Sequence, residues 1–228
     1  MGRSKHSPRD RTRPESLSSR PVASYARAAV LRVATIVDDT EAEGPGRRLA
    51  LWVQGCTIRC PGCCNPEMFT KVGGTEMTLD EVLARFDANP GVDGVSILGG
   101  EPFEQAADLA AVARGVRARG KNVMVYSGYT IAELASQAVD DPAITALLAE
   151  IDLLVDGRYD RDLAEPPPPL GRRWLGSTNQ VMHFLTAAYS PEDPSMRGAN
   201  TVEVHWRDGK LVVNGWPAGA AALLGRKR

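Results

Sequence analysis

The chain has 228 residues, 43% of them hydrophobic and 24% charged, with a formal net charge of −1. That length supports one well-buried core without demanding a second domain, and the near-balanced charge gives no argument for general nucleic-acid or membrane binding. The longest apolar run near the start, Ala28 to Val37, is broken by Arg32 and too short to span a bilayer, so no transmembrane helix is expected.

Residues 1–25 read as a disordered basic tail. The first 21 carry six Lys or Arg (Arg3, Lys5, Arg9, Arg11, Arg13, Arg20) against Asp10 and Glu15, with almost nothing apolar. Such a segment cannot bury enough surface to offset its own ordering. Its plain role is a solvated tail; the sharper alternative is weak docking to an acidic partner. It lacks the apolar stretch of a secretory signal, so the expected location is the cytoplasm.

From residue 26 to 215, apolar β-rich runs alternate with amphipathic helical ones. This is the pattern of an α/β domain, a mostly parallel sheet covered by helices. Leu31 to Val37 and Arg48 to Val53 read as strands. Thr78-Leu-Asp-Glu81 is a capping box, and Leu79, Val82, Leu83 and Phe86 follow at helical spacing until Asn89-Pro90-Gly91 stops the run. Gly94 to Leu98 is a short apolar strand, followed by Gly99-Gly100-Glu101 and a helix with Leu109, Val112, Ala113 and Val116 on its apolar face. Asn122 to Tyr126 is the next strand. Thr130-Ile-Ala-Glu133 caps another helix, and Asp141-Pro142 opens a third in N-cap, N1 order. Ile151 to Val155 predicts a further buried strand.

Four consecutive prolines, Pro166 to Pro169, keep the loop from Gly157 to Arg173 out of helix and central strand and send it over the surface, across the candidate site. Gln180 to Leu185 reads as a strand, and Thr201 to Trp206 with Lys210 to Val213 as a hairpin across Arg207-Asp208-Gly209-Lys210. Residues 216–228 form a C-terminal tail, ambiguous between a short helix and a frayed end.

All four cysteines fall in the nine-residue window Cys56-Thr-Ile-Arg-Cys60-Pro-Gly-Cys63-Cys64. With no cysteine elsewhere there is no disulfide framework, so the cluster points to a metal or to redox chemistry. Cys56, Cys60 and Cys63 form C-x3-C-x2-C, a three-thiolate set that can wrap one face of a cubane iron–sulfur cluster and leave its fourth iron open. The cysteine loop, Gly99 to Glu101, Tyr126 to Tyr129, and Asp156-Gly157 each come directly after a predicted strand. In a parallel sheet those positions gather at one rim, where α/β folds place their ligands. At Gly99-Gly100 the missing Cβ admits a close ligand, and the strand-end carbonyls with Glu101 can accept from an ammonium; the plain reading is a turn before a helix. Tyr126 to Tyr129 and Asp156-Gly157 have plain readings as turns too.

The stretch from Gly44 to Phe69, with Gly44-Pro45-Gly46 and the cysteine window, resembles the cluster segment of radical S-adenosylmethionine (SAM) enzymes. More narrowly it is similar to the glycyl-radical-enzyme activases that serve anaerobic ribonucleotide reductase. Gly99-Gly100-Glu101-Pro102, Tyr126-Ser127-Gly128-Tyr129 and Gly176-Ser177-Thr178-Asn179-Gln180 match in order, so the resemblance runs from Arg32 to Gln180. It implies a partial (β/α) barrel of the short radical SAM type. It implies a [4Fe–4S] cluster on Cys56, Cys60 and Cys63, and SAM contacted by Gly62, Cys63, Cys64, Gly99, Gly100, Glu101 and Ser127. One electron through the cluster then cleaves SAM to methionine and a 5′-deoxyadenosyl radical. The implied partners are a glycyl radical enzyme, the anaerobic reductase, and a flavodoxin-type electron donor.

Two departures matter. Gly62 stands where many radical SAM proteins carry an aromatic residue, as it tends to in the reductase activases, and Cys64 stands where a tyrosine is usual. Cys64 is read as a small buried side chain in preference to a ligand. Competing readings are a closed zinc site on all four cysteines, which adjacent cysteines disfavour, and an electron-transfer module, which would want four ligands. Within radical SAM chemistry the alternative is a small biosynthetic enzyme that modifies a metabolite, a nucleotide or a peptide.

Overall fold

The computed structural model describes Met1, residues 30–207 and residues 210–215. The expectations for residues 2–29, for the Asp208-Gly209 turn and for residues 216–228 lie outside the described residues. The apolar runs become strands β1 (Val30–Thr40), β2 (Arg48–Val53), β3 (Thr75–Thr78), β4 (Gly94–Gly99), β5 (Asn122–Tyr126), β6 (Leu153–Asp156) and β7 (Val181–Phe184). Helices α1 (Leu79–Asp87), α2 (Ala106–Arg117), α3 (Ile131–Gln137) and α4 (Pro142–Leu148) connect them, and β8 (Val202–Arg207) with β9 (Lys210–Gly215) form the expected hairpin.

The seven strands make one sheet in the order β3-β1-β2-β4-β5-β6-β7. β2, β4, β5 and β6 run parallel, while β1, β3 and β7 are antiparallel additions at the two sides. The fold is therefore mixed α/β with a parallel centre. Among the described residues the sheet is open, with β3 and β7 as its edges, and no closed barrel forms. β3 is an element the apolar pattern did not announce, and β6 starts at Leu153, two residues later than expected.

Alternation along the central strands divides the two faces. Leu49, Leu51, Val53, Val95, Ile97, Val123, Val125 and Leu154 pack in one cluster with Val82 and Phe86 of α1, Leu109 and Val112 of α2, Leu134 of α3 and Leu147 of α4. All four helices thus cover one face. On the other, Trp52 and Leu98 pack with Met68, and Met124, Leu153 and Val155 with Trp174 and Leu175, so loops cover it. Burial on both faces is what central parallel strands require. The helix starts follow the sequence signals: Thr78 with Glu81, and Thr130 with Glu133, form complete capping boxes, and Asp141 caps Ala143.

The loop-covered face carries a buried Arg48 whose guanidinium donates to Ser96 Oγ (2.6 Å), Asn122 Oδ1 (2.6 Å) and the carbonyls of Pro45 and Val95. The hairpin seats on the end of β1 through Asn214 Nδ2 to Thr40 Oγ1 (2.8 Å) and Gly215 N–H to Glu43 Oε1 (2.7 Å). Among the described residues no helix is long and apolar enough to cross a membrane.

Candidate functional site

The parallel register pairs Val53 with Gly99, Ile97 with Val125 and Tyr126 with Val155, so β2, β4, β5 and β6 end at one level. Pairing continues past the strand ends. Gly100 N–H donates to Val53 O, Glu101 N–H to Gly55 O and Ser127 N–H to Val155 O, each at 2.8 Å. This explains the two glycines differently from the sequence expectation. A Cβ on Gly100 would lie 2.1 Å from Gly55 O, and one on Gly99, whose φ is +107°, would lie 2.5 Å from Val53 N. The neighbour approaching them is the backbone that leads into the cysteine loop. What remains for a ligand there is the carbonyls.

Glu101 is 1% exposed and ties the next two loops together. Its Oε1 accepts from Phe103 N–H (3.0 Å) and the Ser127 hydroxyl (2.9 Å), and its Oε2 from Gly128 N–H (2.8 Å). Ser127 Oγ in turn accepts from Tyr129 N–H at 3.0 Å. Burial pushes the Glu101 carboxyl up to about 7 against these three donors. A carboxylate offers about four acceptor positions, so this one can still receive a further donor, and a cation would offset its desolvation. Ser127 is buried, and its hydroxyl is already engaged both as donor and as acceptor.

The cysteine loop has a fixed base and a less tethered tip. At the base, Gly55 N–H donates to Met68 O (2.9 Å), Cys56 N–H to Phe69 O (3.2 Å), and Gln54 Nε2 to Thr70 O (2.7 Å). Thr57 donates its N–H (2.6 Å) and hydroxyl (2.7 Å) to Glu104 Oε1. Ile58 reaches the Tyr126–Tyr129 turn: a Cβ on Gly128 would lie 2.7 Å from its Cδ1. Beyond it Arg59 sits at φ 54°, a left-handed conformation that costs a side chain energy. Cys63 N–H closes a turn onto Cys60 O at 3.1 Å, and Asn65 N–H points at Cys63 Sγ at 3.4 Å.

Burial pushes the Cys56 and Cys60 thiols up, while backbone N–H groups oppose it, from Arg59 and Ile58 at Cys56 and from Tyr159 at Cys60. The Cys64 thiol hydrogen-bonds Cys63, which holds Cys63 down and pushes Cys64 up. Cys64 is exposed as a residue, with Glu43 near its sulfur, so the expected small buried side chain is not what the fold presents. Gly62, at φ +78°, abuts Arg161: a Cβ there would lie 2.7 Å from the Arg161 Nε. Among the described residues no three His, Cys, Asp or Glu side chains already converge as ligands of a single ion do, so the thiols are not pre-assembled around a metal position. Three thiols on one short loop remain a donor set suited to an iron–sulfur cluster.

The fold thus brings Cys56, Gly99, Gly100, Glu101 and Ser127 to one rim, with Ile58 as the bridge. Gly62 and Cys64 instead meet Arg161 and Glu43. Asp156 is engaged elsewhere: its Oδ2 accepts from Ile131 N–H at 2.5 Å, at the start of α3, and lies 3.0 Å from His183 Nε2. Sequence reasoning missed Glu43, Ile58, Glu104 and Arg161, all of which matter only through contacts distant along the chain.

A family profile described as a 4Fe-4S single cluster domain matches residues 42–183. An anaerobic ribonucleoside-triphosphate reductase-activating protein of Vibrio cholerae is 36% identical over 152 residues, 63% of this chain and 91% of that relative. Its counterpart in Escherichia coli (strain K12) is 33% identical over 150 residues, 62% of this chain and 91% of that relative. The counterpart of Enterobacteria phage T4 is 27% identical over 143 residues, covering 60% of this chain and 83% of itself. The chain belongs to the 4Fe-4S single cluster domain family, among the anaerobic ribonucleoside-triphosphate reductase-activating proteins.

Proposed function

We propose that the protein is a radical SAM activase in which Cys56, Cys60 and Cys63 hold a [4Fe–4S] cluster and Gly62, Cys63, Cys64, Gly99, Gly100, Glu101 and Ser127 contact SAM. The observation that carries this reading is the joining of the cysteine loop to the Glu101 rim, through Glu101 N–H to Gly55 O and Ile58 against Gly128. Held there, such a cluster would supply the electron that splits the sulfonium of SAM into methionine and a 5′-deoxyadenosyl radical. Glu101 is suited to take the ligand's ammonium, because it is buried, still has acceptor capacity and gains from a cation. Ser127 and Gly128 hold Glu101 in place while the ligand arrives. Ile58 bridges the two loops by its contact with Gly128.

In this reading the hydrogen taken by the radical comes from a glycine of an anaerobic ribonucleoside-triphosphate reductase, the enzyme named in the relatives. A flavodoxin-type protein supplies the electron. The working unit is residues 26–215, with the loop-covered face of the open sheet as the inner wall of a partial barrel, and it acts in the cytoplasm, where thiols stay reduced.

The test is anaerobic reconstitution with iron and sulfide, reduction in the presence of SAM, and chromatography for 5′-deoxyadenosine, with Cys60→Ala alongside. Formation that disappears in the variant is expected. A loaded, reducible cluster that yields no 5′-deoxyadenosine would overturn the reading in favour of an electron-transfer carrier.

A further inference from the structure

The turn Gly176–Gln180 takes no part in the chemistry above, yet its polar groups are heavily committed. Gln180 Oε1 accepts from the N–H groups of Gly176 (2.9 Å) and Ser177 (3.1 Å), while its Nε2 donates to Gly157 O (3.0 Å). Asn179 Nδ2 donates to Arg158 O at 2.8 Å, and Ser177 Oγ accepts from Asp160 N–H at 3.2 Å. Thr178 N–H reaches Leu163 O at 2.7 Å, and Glu165 N–H reaches Gly176 O at 3.0 Å. The segment from 157 to 165 is therefore stitched to this turn along its whole length.

The opposite side of that segment meets the cysteine loop. The Tyr159 backbone faces the Cys60 thiol and holds it down against the effect of its burial. The Arg161 guanidinium lies on Gly62, and among the described residues it has no hydrogen-bond or ion-pair partner. Hydrogen bonds to a cluster's sulfurs and positive charge beside it both favour the more negative, reduced state, and so raise the reduction potential.

We propose that the Gly176–Gln180 turn is a clamp that presses residues 157–165 onto the cysteine loop, making Gln180 a positioning residue that sets the cluster's potential through the Tyr159 peptide and the Arg161 charge. This rests on the reading that Cys60 ligates a cluster. It also accounts for the committed side chain: Gln180 is the one residue of the turn whose two ends bond the turn itself and the start of the segment it holds.

The experiment is a redox titration of the reconstituted full chain followed by electron paramagnetic resonance, with melting of each protein recorded in parallel. Gln180→Leu is expected to lower the potential so that about tenfold less cluster is reduced at a fixed poise, which is ~59 mV for one electron. Gln180→Glu keeps both acceptor bonds but loses the donation to Gly157, and is expected to show the same direction. Arg161→Gln changes an exposed side chain, so it should leave melting unaltered and still lower the potential. Asp141→Ala, at the remote cap of α4, should lower melting and leave the potential alone. Should Gln180→Leu fail to fold, Gln180→Glu and Arg161→Gln carry the test. A wild-type potential in these two variants overturns the clamp, whereas a wild-type chain that takes up no cluster overturns the cluster reading and the clamp with it.

Discussion

Between Gly99 and Gly128 the rim is completed by the protein's own groups: strand pairing runs past the strand ends, two glycines admit the adjacent backbone, and Glu101 gathers three donors. From Arg59 to Cys64 the chain is held far less. One backbone turn, one left-handed arginine, the Asn65 N–H at Cys63 and the Arg161 side chain on Gly62 hold a segment that carries three of the four cysteines. The rim is thus preorganised, and in the proposed reading the loop of thiols takes its final shape from what the thiols bind. Metal-site binding energy would then double as ordering energy for the loop, while the rim would need none.

Cys60→Ala should break the functional half without touching the other. It is expected to abolish iron retention and 5′-deoxyadenosine formation, and to shift the apo protein's unfolding free energy by no more than about 0.5 kcal/mol, because the site lies away from the core. Iron analysis and urea unfolding check the two halves of that statement. Gly100→Ala should do the reverse. Its Cβ would meet Gly55 O at 2.1 Å, and an obstruction by backbone cannot be relieved by rotating a side chain. A loss of about 3 kcal/mol is expected even in the apo protein. If Gly100→Ala unfolds like wild type and Cys60→Ala collapses, the assignment of rigid and cofactor-shaped halves is inverted.

Much of this arrangement was legible in the sequence because it is local. Capping boxes at Thr78 and Thr130, the N-cap Asp141 and the apolar runs of the parallel strands all mark themselves by spacing. β3 did not, since Thr75-Glu-Met-Thr78 is a short edge strand with hardly any burial to impose a pattern. Ile151 misled the boundary of β6: it is buried against the helices, but Asp152 between it and the strand is occupied by Arg117 and Thr186, each at 2.6 Å. Whether a sheet closes depends on twist and strand number, which periodicity does not encode. Within the site, the cysteines and Gly-Gly-Glu were legible as motifs, but a glycine does not say what approaches it. Glu43, Ile58 and Arg161 gave no local signal at all.

Glu43 sharpens the contrast from the side of the thiols. Glu101 has three donors; Glu43 has Gly215 N–H and a neighbouring Glu203 charge, and burial pushes it up to about 7 from an ordinary 4.5. A carboxyl whose folded value is raised binds a proton more tightly in the folded state. It therefore costs stability progressively as pH rises from about 4.5 to about 7. Glu43→Gln should match wild type near pH 4.5 and exceed it above pH 7, by ~2 kcal/mol after discounting the full shift. Unfolding measured across that range checks it. A pH-independent difference would mean that the carboxyl is not desolvated in the folded state.

The smallest effect separates two roles for Ser127. If its hydroxyl serves the rim, Ser127→Ala removes a donor to Glu101 and an acceptor for Tyr129 N–H, costing ~1 kcal/mol. The Glu101 carboxyl, losing a bond that favours its charged form, then titrates above its present value of about 7. SAM binding weakens because the carboxylate is less often charged, so the loss shrinks as pH is raised, and Ser127→Thr restores both properties. That is the outcome expected from the geometry, in which the hydroxyl's donor is already committed to Glu101. A loss of SAM affinity that is constant with pH, with the Glu101 titration unmoved, would instead mean that the hydroxyl turns from the carboxylate to the ligand. The rim would then be less finished than its hydrogen bonds imply.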